Sequence, residues 1–248
     1  MTLYAGLDAG SRTVKLVLYD GAVREAVVVP TGVNPLQRCK ELLADKKFDA
    51  LVVTGYGRHL VAPVLGGRIV SEIKAFAVGS RHLVPECHTV IDIGGQDCKV
   101  ILLSDNGDVH KFEMNDRCAA GTGKFLEIMA DTLEMDIADI GGLALKATKV
   151  IRINSLCTVF AESEVVSLIA KGEETSTIAL ALHAAITERI AAMVKRTGVR
   201  EKVVFAGGGS YNRCLKQLLE KALGTELTVP ASPQTAGALG AALLAVTL

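Results

Sequence analysis

Apolar runs that are typical of β-strands occur in two groups of three along the chain. Each group contains two runs separated by a short segment rich in glycine and aspartate, and a third run follows a further turn. In the second group this turn is Asp105-Asn-Gly-Asp, a strong hairpin signal. Each group therefore predicts an antiparallel meander. The predicted strands are Leu3–Leu7, Val14–Tyr19, Ala22–Val29, Val90–Ile93, Val100–Leu103 and Val109–Met114.

Segments with apolar residues at helical spacing follow each meander. Two more short strands, Ala50–Thr54 and Val203–Ala206, lie among these segments. Strands that alternate with helices in both halves of the chain predict an α/β fold. The predicted helices are Pro35–Ala44, Glu72–Leu83, Gly121–Leu133, Ser163–Ala170, Thr175–Thr197, a helix that begins at Asn212, and Thr235–Val246.

The two groups of strands are related by a constant offset in residue number. Adding 84 carries Asp8 to Asp92 and Gly10 to Gly94, and a lysine followed by an apolar run comes after both at the same spacing. An internal duplication is the economical explanation. Two duplicated domains that face each other enclose a cleft, and a cleft between domains is where a small ligand usually binds.

Composition and charge narrow the class of protein. Half of the 248 residues are hydrophobic, so the chain can bury a substantial core. Lys plus Arg and Asp plus Glu both number 27, which disfavours binding to nucleic acid or to an anionic membrane. No signal-peptide pattern is found at the N-terminus, and the apolar segment Ala236–Leu248 is too short to span a bilayer. We therefore expect a cytoplasmic protein.

Glycines at matching strand ends predict a phosphate site. A glycine lacks a Cβ and tolerates positive φ, so the backbone can approach an anion closely and point N–H groups at it. Gly10 in the first copy, and Gly94 with Gly95 in the second, have this position. Ser11 and Lys15 follow in the first copy and offer a hydroxyl group and a cation to the same ligand.

Two aspartates and a third glycine segment extend this hypothesis. Asp8 and Asp92 stand at equivalent strand ends, where their carboxylates would hold a hydrated magnesium ion between the two loops. One such aspartate alone would be read as a simple turn residue, but the duplication favours the nucleotide site. A further strand runs into Gly207, Gly208 and Gly209, again suited to close approach by a ligand.

Together these segments resemble the acetate and sugar kinase, Hsp70 and actin superfamily. The resemblance rests on GLDAGSRTVK, VIDIGGQDCK, FAGGGSYN and PQTAGALGAALLA. It implies two ribonuclease H-like domains, residues 1–86 with 234–248 and residues 87–233, that close on Mg-ATP in an actin-like ATPase fold. It also implies that the adenosine lies against the three glycines at 207–209, and that Gln96 lies near the terminal phosphate and orients an attacking water. Catalysis would then rest on Asp8, Asp92 and Gln96.

The six cysteines have no CxxC spacing, and each must be interpreted separately. Cys118 and Cys157 come shortly before predicted helix starts, where the helix dipole and free N–H groups favour a thiolate. The others fit the common pattern of small buried hydrophobic residues. These four are Cys39, Cys87, Cys98 and Cys214.

The segments around Cys118 and Cys157 are similar to the cluster-binding segments of the 2-hydroxyglutaryl-CoA dehydratase activator family. That family includes the ATPase subunits of benzoyl-CoA reductases. The resemblance rests on NDRCAAGTGKFLEIMA and INSLCTVFAESEV, supported by TGYGR, SEIKAFAVG and DIGGQD. It implies a [4Fe-4S] cluster bound by both cysteines. Because such a cluster needs about four cysteine ligands, two per chain require a homodimer that shares it.

The resemblance further implies a function in electron transfer. Reduced ferredoxin or flavodoxin would supply one electron to the cluster, and ATP hydrolysis would drive its delivery to an iron–sulfur 2-hydroxyacyl-CoA dehydratase or a related acyl-CoA reductase. Two alternatives stay open on the nucleotide motifs alone, a small-molecule kinase and an actin-like nucleotide switch.

The remaining polar residues receive simpler interpretations. Glu162 and Glu164 could support the cluster region or an interdomain contact, but acidic residues in a first helical turn commonly complement the helix dipole, and that simpler interpretation is preferred for both. The five histidines lack metal-ligand spacing and are assigned no role.

Overall fold

The computed structural model describes residues 2–154 and 157–247 of the chain. Met1 and Leu248, at the outer bounds of the predicted domains, lie outside the described residues. Ser155 and Leu156, within the predicted Cys157 segment, also lie outside them. The described residues contain two mixed five-stranded sheets with helices, which confirms the predicted α/β class.

The first sheet is built from the N-terminal meander and two parallel strands. Its order is β3-β2-β1-β4-β5, with β1, β2 and β3 antiparallel and β4 parallel to β1. Buried apolar residues on β1 and β2 fill the core on both faces of the sheet. The strands are β1 Tyr4–Ala9, β2 Thr13–Tyr19, β3 Val23–Pro30, β4 Ala50–Thr54 and β5 Arg68–Ile69.

The second sheet repeats the first. Its order is β10-β9-β6-β7-β8, which is the order of the first sheet when each strand is replaced by its counterpart. The meander β6, β7 and β8 is antiparallel, and β9 is parallel to β6. The predicted duplication is therefore confirmed at the level of topology. The strands are β6 Thr89–Ile93, β7 Cys98–Leu103, β8 Val109–Asn115, β9 Val203–Ala206 and β10 Leu227–Thr228.

Helices cover the sheets, and several begin at side-chain caps. Asn34, Ser71 and Asn212 each accept a hydrogen bond from a backbone N–H in the first turn of the following helix. The helices are α1 Pro35–Leu43, α2 Arg58–Leu65, α3 Glu72–Leu83, α4 Gly123–Thr132, α5 Ile137–Ala144, α6 Thr158–Ala170, α7 Thr175–Thr197, α8 Arg213–Leu223 and α9 Ala236–Ala245.

Two predicted helix starts were wrong, and both corrections concern the cysteine segments. The helix after Cys118 begins at Gly123 rather than Gly121, because Gly121 adopts a φ of +87° that a right-handed helix does not allow. The helix after Cys157 begins at Thr158 rather than Ser163, so Cys157 is its N-cap residue.

Helix α7 forms much of the core against the second sheet. Its side chains Ile178, Leu182, Ile186 and Ile190 are buried. Within the described residues it is the one helix long and apolar enough to cross a bilayer, but 67% of its most apolar window is buried inside the fold. We therefore interpret α7 as a core helix.

Helices α3 and α9 pack against each other with almost no space between their backbones. A Cβ on Gly79 would strike the carbonyl oxygen of Ala236, and a Cβ on Gly240 would strike that of Ala75. Helix α9 also lies on β1, where Gly6 leaves room for its backbone. Glycine is required at these crossings because any side chain would separate the helices. The division into one domain of residues 1–86 with 234–248 and another of residues 87–233 stays a prediction.

Candidate functional site

A cavity of about 550 Å³ lies between the first hairpins of the two sheets. It is lined by both glycine loops, by the glycine segment after β9 and by the starts of several helices. The residues predicted from the sequence to bind and hydrolyse ATP all line it, although their individual roles stay predictions. They are Asp8, Gly10, Ser11, Lys15, Asp92, Gly94, Gly95, Gln96, Gly207, Gly208 and Gly209.

Strand register places an aspartate opposite a lysine in each hairpin. Asp8 pairs with Lys15 between β1 and β2, and Asp92 pairs with Lys99 between β6 and β7. In both hairpins the lysine Nζ lies 3.0 Å from the aspartate Oδ2. The duplication thus extends to an ion pair on the cavity wall.

The second lysine has far more negative charge around it than the first. Lys99 Nζ lies 3.0 Å from Glu72 Oε2, 3.0 Å from Asp92 Oδ2 and 2.9 Å from Asp97 Oδ2. It also lies 5.2 Å from the centre of the Phe76 ring. Burial alone would lower the pKa of Lys99, but the three carboxylates raise it well above its usual value. Lys99 is therefore a permanent buried cation.

Three carboxylates around one lysine leave an excess of negative charge. Burial raises the pKa of Asp92 and of Glu72, and Lys99 opposes this shift only in part. One oxygen, Asp92 Oδ1, is buried without a hydrogen-bond partner among the described residues. Both features fit a hydrated divalent cation, because hard cations such as magnesium bind carboxylate oxygens and water.

Glu72 also connects this cluster to the first half of the protein. Arg58 Nη1 lies 3.2 Å from Glu72 Oε1 and donates a hydrogen bond of 3.0 Å to the carbonyl oxygen of Gly55. Arg58, Glu72 and Lys99 therefore form a chain of ion pairs from the start of α2 to the second hairpin.

A second duplicated feature escaped the sequence analysis. Gly55 follows β4 and Gly207 follows β9, both with positive φ. A Cβ on Gly55 would strike Asp8, and a Cβ on Gly207 would strike Asp92. Each glycine therefore lets a strand end close against the aspartate of its own sheet. The signal was present in the sequence as paired glycines, at 55 and 57 and at 207 and 209.

A buried histidine supports the wall of the cavity at Asn212. Asn212, which lines the cavity and caps α8, has its Nδ2 at 2.9 Å from His183 Nε2. His183 Nδ1 lies 2.7 Å from the carbonyl oxygen of Ala179 and must donate to it, so Nε2 accepts from Asn212. Burial lowers the pKa of His183 and keeps it neutral. The sequence analysis assigned this histidine no role.

Main-chain hydrogen bonds join the second glycine loop, Gly94 and Gly95, to helix α4. The amide of Gly123 donates to the carbonyl oxygen of Gly94 at 2.9 Å, and the amide of Lys124 donates to that of Gly95 at 2.8 Å. These amides belong to the first turn of α4, which has no intrahelical acceptor for them. The loop predicted to hold phosphate is therefore fixed to the helix that follows Cys118.

The same helix contacts the first hairpin. Arg12, between β1 and β2, forms an ion pair with Glu127 on α4. The aliphatic part of Arg12 covers Gly95, where a Cβ would strike it. The side chain of Arg12 thus connects the first hairpin both to the second glycine loop and to helix α4.

The cysteines divide into two classes by accessibility. Cys157 is exposed and Cys118 is half-buried, and neither lines the cavity. Burial raises the pKa of the other four thiols to about 11, so these remain protonated. Among residues 2–154 and 157–247, no group of three or more His, Cys, Asp or Glu side chains is arranged to hold a metal ion. A metal group at Cys118 and Cys157 would need further ligands.

Comparison with known proteins gives closely similar relatives. The chain is 41% identical over 256 residues to the (R)-2-hydroxyglutaryl-CoA dehydratase activating ATPase of Acidaminococcus fermentans, covering 99% of this chain and 98% of the relative. It is 41% identical over 250 residues to the activator of lactoyl-CoA dehydratase of Anaerotignum propionicum, covering 97% of this chain and 96% of the relative.

A solved structure and a family model agree with these relatives. The Clostridium difficile activator of 2-hydroxyisocaproyl-CoA dehydratase, with bound ADPNP, superposes with a TM-score of 0.91 at 36% identity, covering 99% of this chain and 95% of that chain. This likeness confirms the predicted actin-like ATPase fold. The model of the BadF/BadG/BcrA/BcrD ATPase family matches residues 5–245. The chain therefore belongs to the BadF/BadG/BcrA/BcrD ATPase family.

Proposed function

We propose that this ATPase is an activator that passes single electrons from reduced ferredoxin or flavodoxin to an iron–sulfur enzyme. The electron would travel through a cluster shared by two subunits, and the acceptor would be a 2-hydroxyacyl-CoA dehydratase or a related acyl-CoA reductase. The relatives support the activating role, since they are named as dehydratase activators. The observation that carries the electron-transfer part is the pair of accessible cysteines beside helices α4 and α6.

Within the ATP site, the aspartates and Gln96 receive distinct roles. Asp8 and Asp92 would hold hydrated magnesium between the two hairpins, and the unpartnered Asp92 Oδ1 supports this. Gln96 is exposed at the tip of the second hairpin and would orient the attacking water. The glycines at 10, 94 and 95 would let phosphate oxygens approach backbone N–H groups.

The donor set at the cysteines fits an iron–sulfur cluster. Cys118 and Cys157 are the two thiols outside the buried core; Cys118 lies in the loop that leads into α4, and Cys157 is the N-cap of α6. Helices α4 and α6 pack in the same hydrophobic core. A cluster there would supply one-electron chemistry near the phosphate loop. Because two thiolates are half of the usual four ligands, the second half would come from a second copy of the chain.

An exposed apolar face on α6 supports the homodimer. Val159 and Phe160, in the first turn of α6 after Cys157, are 67% and 66% exposed, and Val166 and Ile169 continue the exposed apolar surface. Large apolar side chains clustered on a surface are typical of a protein interface. We call this surface, Val159, Phe160, Val166 and Ile169, the α6 face. Pairing of two copies through the α6 face would bring their Cys157 residues together.

Coupling between ATP and the cluster would follow the contacts of helix α4. A change at Gly94 and Gly95 on ATP hydrolysis would move the first turn of α4 through the main-chain hydrogen bonds from Gly123 and Lys124. The Arg12–Glu127 ion pair would add a contact that depends on closure of the two hairpins. The exposure of Cys118 would change with it.

The test is to purify the protein without oxygen and to measure iron, acid-labile sulfide and mass in solution. We expect about four irons per dimer in the wild type. Cys118→Ser and Cys157→Ser should each lose the cluster. Cys214→Ala, at a buried thiol, is the matched control and should retain it.

Two further measurements separate this function from the alternatives. Addition of ATP should change the cluster's reduction potential or its rate of reaction with a chelator. A wild type that binds no iron after reconstitution contradicts the electron-transfer function. Phosphorylation of an added sugar or carboxylic acid would favour a kinase, and ATP-dependent filaments of iron-free protein would favour a nucleotide switch.

A further inference from the structure

An asparagine precedes each accessible cysteine by three residues. Asn115 precedes Cys118, and Asn154 precedes Cys157, so both segments share the pattern Asn-x-x-Cys. In both segments the asparagine makes hydrogen bonds that fix the chain around the cysteine, although the partners differ. Both asparagines lie outside the ATP cavity.

The amide group of Asn115 closes the loop that contains Cys118. Its Nδ2 donates to the carbonyl oxygen of Cys118 at 2.8 Å and to that of Ala120 at 3.1 Å. One side-chain amide has two N–H donors, so both are used. Asn115 therefore holds two peptide groups that follow the Cys118 side chain, the one that joins Cys118 to Ala119 and the one that joins Ala120 to Gly121.

The segment before Cys157 is fixed from outside, by a carboxylate on α6. The backbone N–H of Asn154 donates to Glu164 at 3.0 Å (Oε2), and its Nδ2 donates to Oε1, also at 3.0 Å. Cys157 is the N-cap of the same helix, and its carbonyl oxygen accepts from the amide of Ala161 at 2.8 Å. Both ends of the short segment 154–157 are therefore attached to α6.

We propose that Asn115 and the Asn154–Glu164 pair are positioning residues that hold the two cysteine thiols in place for the iron–sulfur cluster. The inference rests on the proposed function, because it assumes that Cys118 and Cys157 bind a cluster. It replaces the sequence-based interpretation of Glu164 as a residue that only complements the helix dipole. Partners one step removed from a metal typically change its affinity by about 10- to 100-fold.

The hydrogen-bond donors and acceptors in each contact determine which substitution removes it. Glu164 offers two acceptor oxygens to two donors of Asn154, and glutamine offers only one. Asn115→Asp keeps the shape of the side chain but replaces two donors by acceptors, which would repel the carbonyl oxygens of Cys118 and Ala120.

In the Asn154–Glu164 pair, the amide and the carboxylate can also be exchanged between the two positions. Asn154→Asp alone places two carboxylates against each other. Asn154→Asp combined with Glu164→Gln restores complementarity, because the glutamine amide can donate to the aspartate while its oxygen accepts from the backbone N–H of residue 154. Glu162, two residues before Glu164 on the same helix, has no hydrogen bond or ion pair within the described residues, so Glu162→Gln is the matched control.

The experiment measures loss of the cluster to an iron chelator in the anaerobically purified full-length protein. We expect Glu164→Gln, Asn154→Asp and Asn115→Asp to lose iron about 10- to 100-fold faster than the wild type. The exchanged double variant should recover most of the wild-type rate, and Glu162→Gln should keep it. The electron paramagnetic resonance signal of the reduced cluster should shift in the single variants and return in the double variant.

A second measurement uses cluster-free protein. Hydrogen exchange of peptides that contain the backbone amide of residue 154 should be faster in Glu164→Gln and slow again in the double variant. The melting temperature of each variant distinguishes loss of this contact from loss of the fold.

The outcomes separate the two proposals. A wild type without iron contradicts the proposed function and this inference together. A wild type with a cluster, and single variants that retain it equally well with unchanged spectra, contradicts this inference alone. Failure of the double variant to recover, with a normal melting temperature, also contradicts it.

Discussion

Lys99 is a buried cation that three carboxylates surround, whereas its duplicate Lys15 is 14% exposed and pairs with one. Removal of the Lys99 charge leaves the buried Asp92 without its cation and takes one partner from Glu72, which keeps Arg58, and from the half-buried Asp97. We expect Lys99→Met to destabilise the fold by about 3 to 5 kcal/mol. Lys15→Met, the matched control, should cost clearly less, because Lys15 is more exposed than Lys99 and neutralises one carboxylate rather than three. Urea unfolding of both variants measures the difference, and equal losses would contradict it.

Gln96 should act in turnover rather than in binding. Its side chain is exposed at the hairpin tip, so its removal leaves the glycine loops intact. We expect Gln96→Ala to bind ATP as the wild type does but to hydrolyse it about 100-fold more slowly, the typical cost of a misplaced reacting group. Nucleotide titration and single-turnover hydrolysis measure the two quantities. Equal loss of binding would contradict the assigned role.

His183 should give the protein a pH-dependent stability. Its pKa lies below the ordinary value of 6.5, so the unfolded state binds more protons than the folded state as the pH falls below 6.5. The His183 contribution is therefore fully present above that pH and is lost on acidification. His183→Gln keeps hydrogen-bonding groups but does not titrate. Between pH 7 and 5.5 its free energy of unfolding should fall less than that of the wild type.

At the level of elements, the sequence predicted most strands and the helices with clear periodicity. Strands β4 and β9 and helices α3 and α7 have their predicted bounds. Helix α2 was missed because Pro63 interrupts its pattern, and α5 because it contains Gly141 and Gly142. The start of α6 was placed too late, since no propensity identifies a cysteine N-cap. The glycine loops were found by their duplication.

Contacts between segments far apart in the sequence could not be predicted from periodicity or from the duplication. Glu72 is close to Lys99 only because α3 begins beside the second hairpin, and Glu164 reaches Asn154 only because α6 begins at Cys157. Neither contact has a spacing rule along the chain. The sequence therefore indicated which glycine loops line the cavity, while the charges and amides that support them required the folded chain.

The crossing of α3 and α9 should tolerate no added methyl group. A Cβ on Gly240 would strike the backbone of α3, so Gly240→Ala must separate the helices. We expect a loss of about 1 to 3 kcal/mol in the free energy of unfolding. Gly142→Ala in α5 is the matched control, since a Cβ there has nothing within 4 Å. That variant should stabilise the protein by up to about 1 kcal/mol. Thermal or urea unfolding measures both.

For the whole molecule, the proposed homodimer needs a surface that pairs two copies. Phe160 on the α6 face and Phe112 on strand β8 are both large and exposed, at 66% and 53%. If the α6 face forms the dimer, Phe160→Lys should give monomers that bind no cluster, because the charge would be buried at the interface. Phe112→Lys should remain a dimer with its iron. Sedimentation measures the mass, and the opposite pattern would place the interface on the edge of the second sheet.

Two hydrogen bonds between main-chain atoms join the second glycine loop to α4, from the amides of Gly123 and Lys124 to the carbonyl oxygens of Gly94 and Gly95. Every amino acid except proline carries the same amide, so side-chain substitution at these donors leaves the hydrogen bonds chemically possible. Divergent descendants of this fold can thus inherit the connection while the surfaces that select their protein partners change freely. Under the proposed function, new electron acceptors could be acquired in evolution without a change in the coupling to ATP.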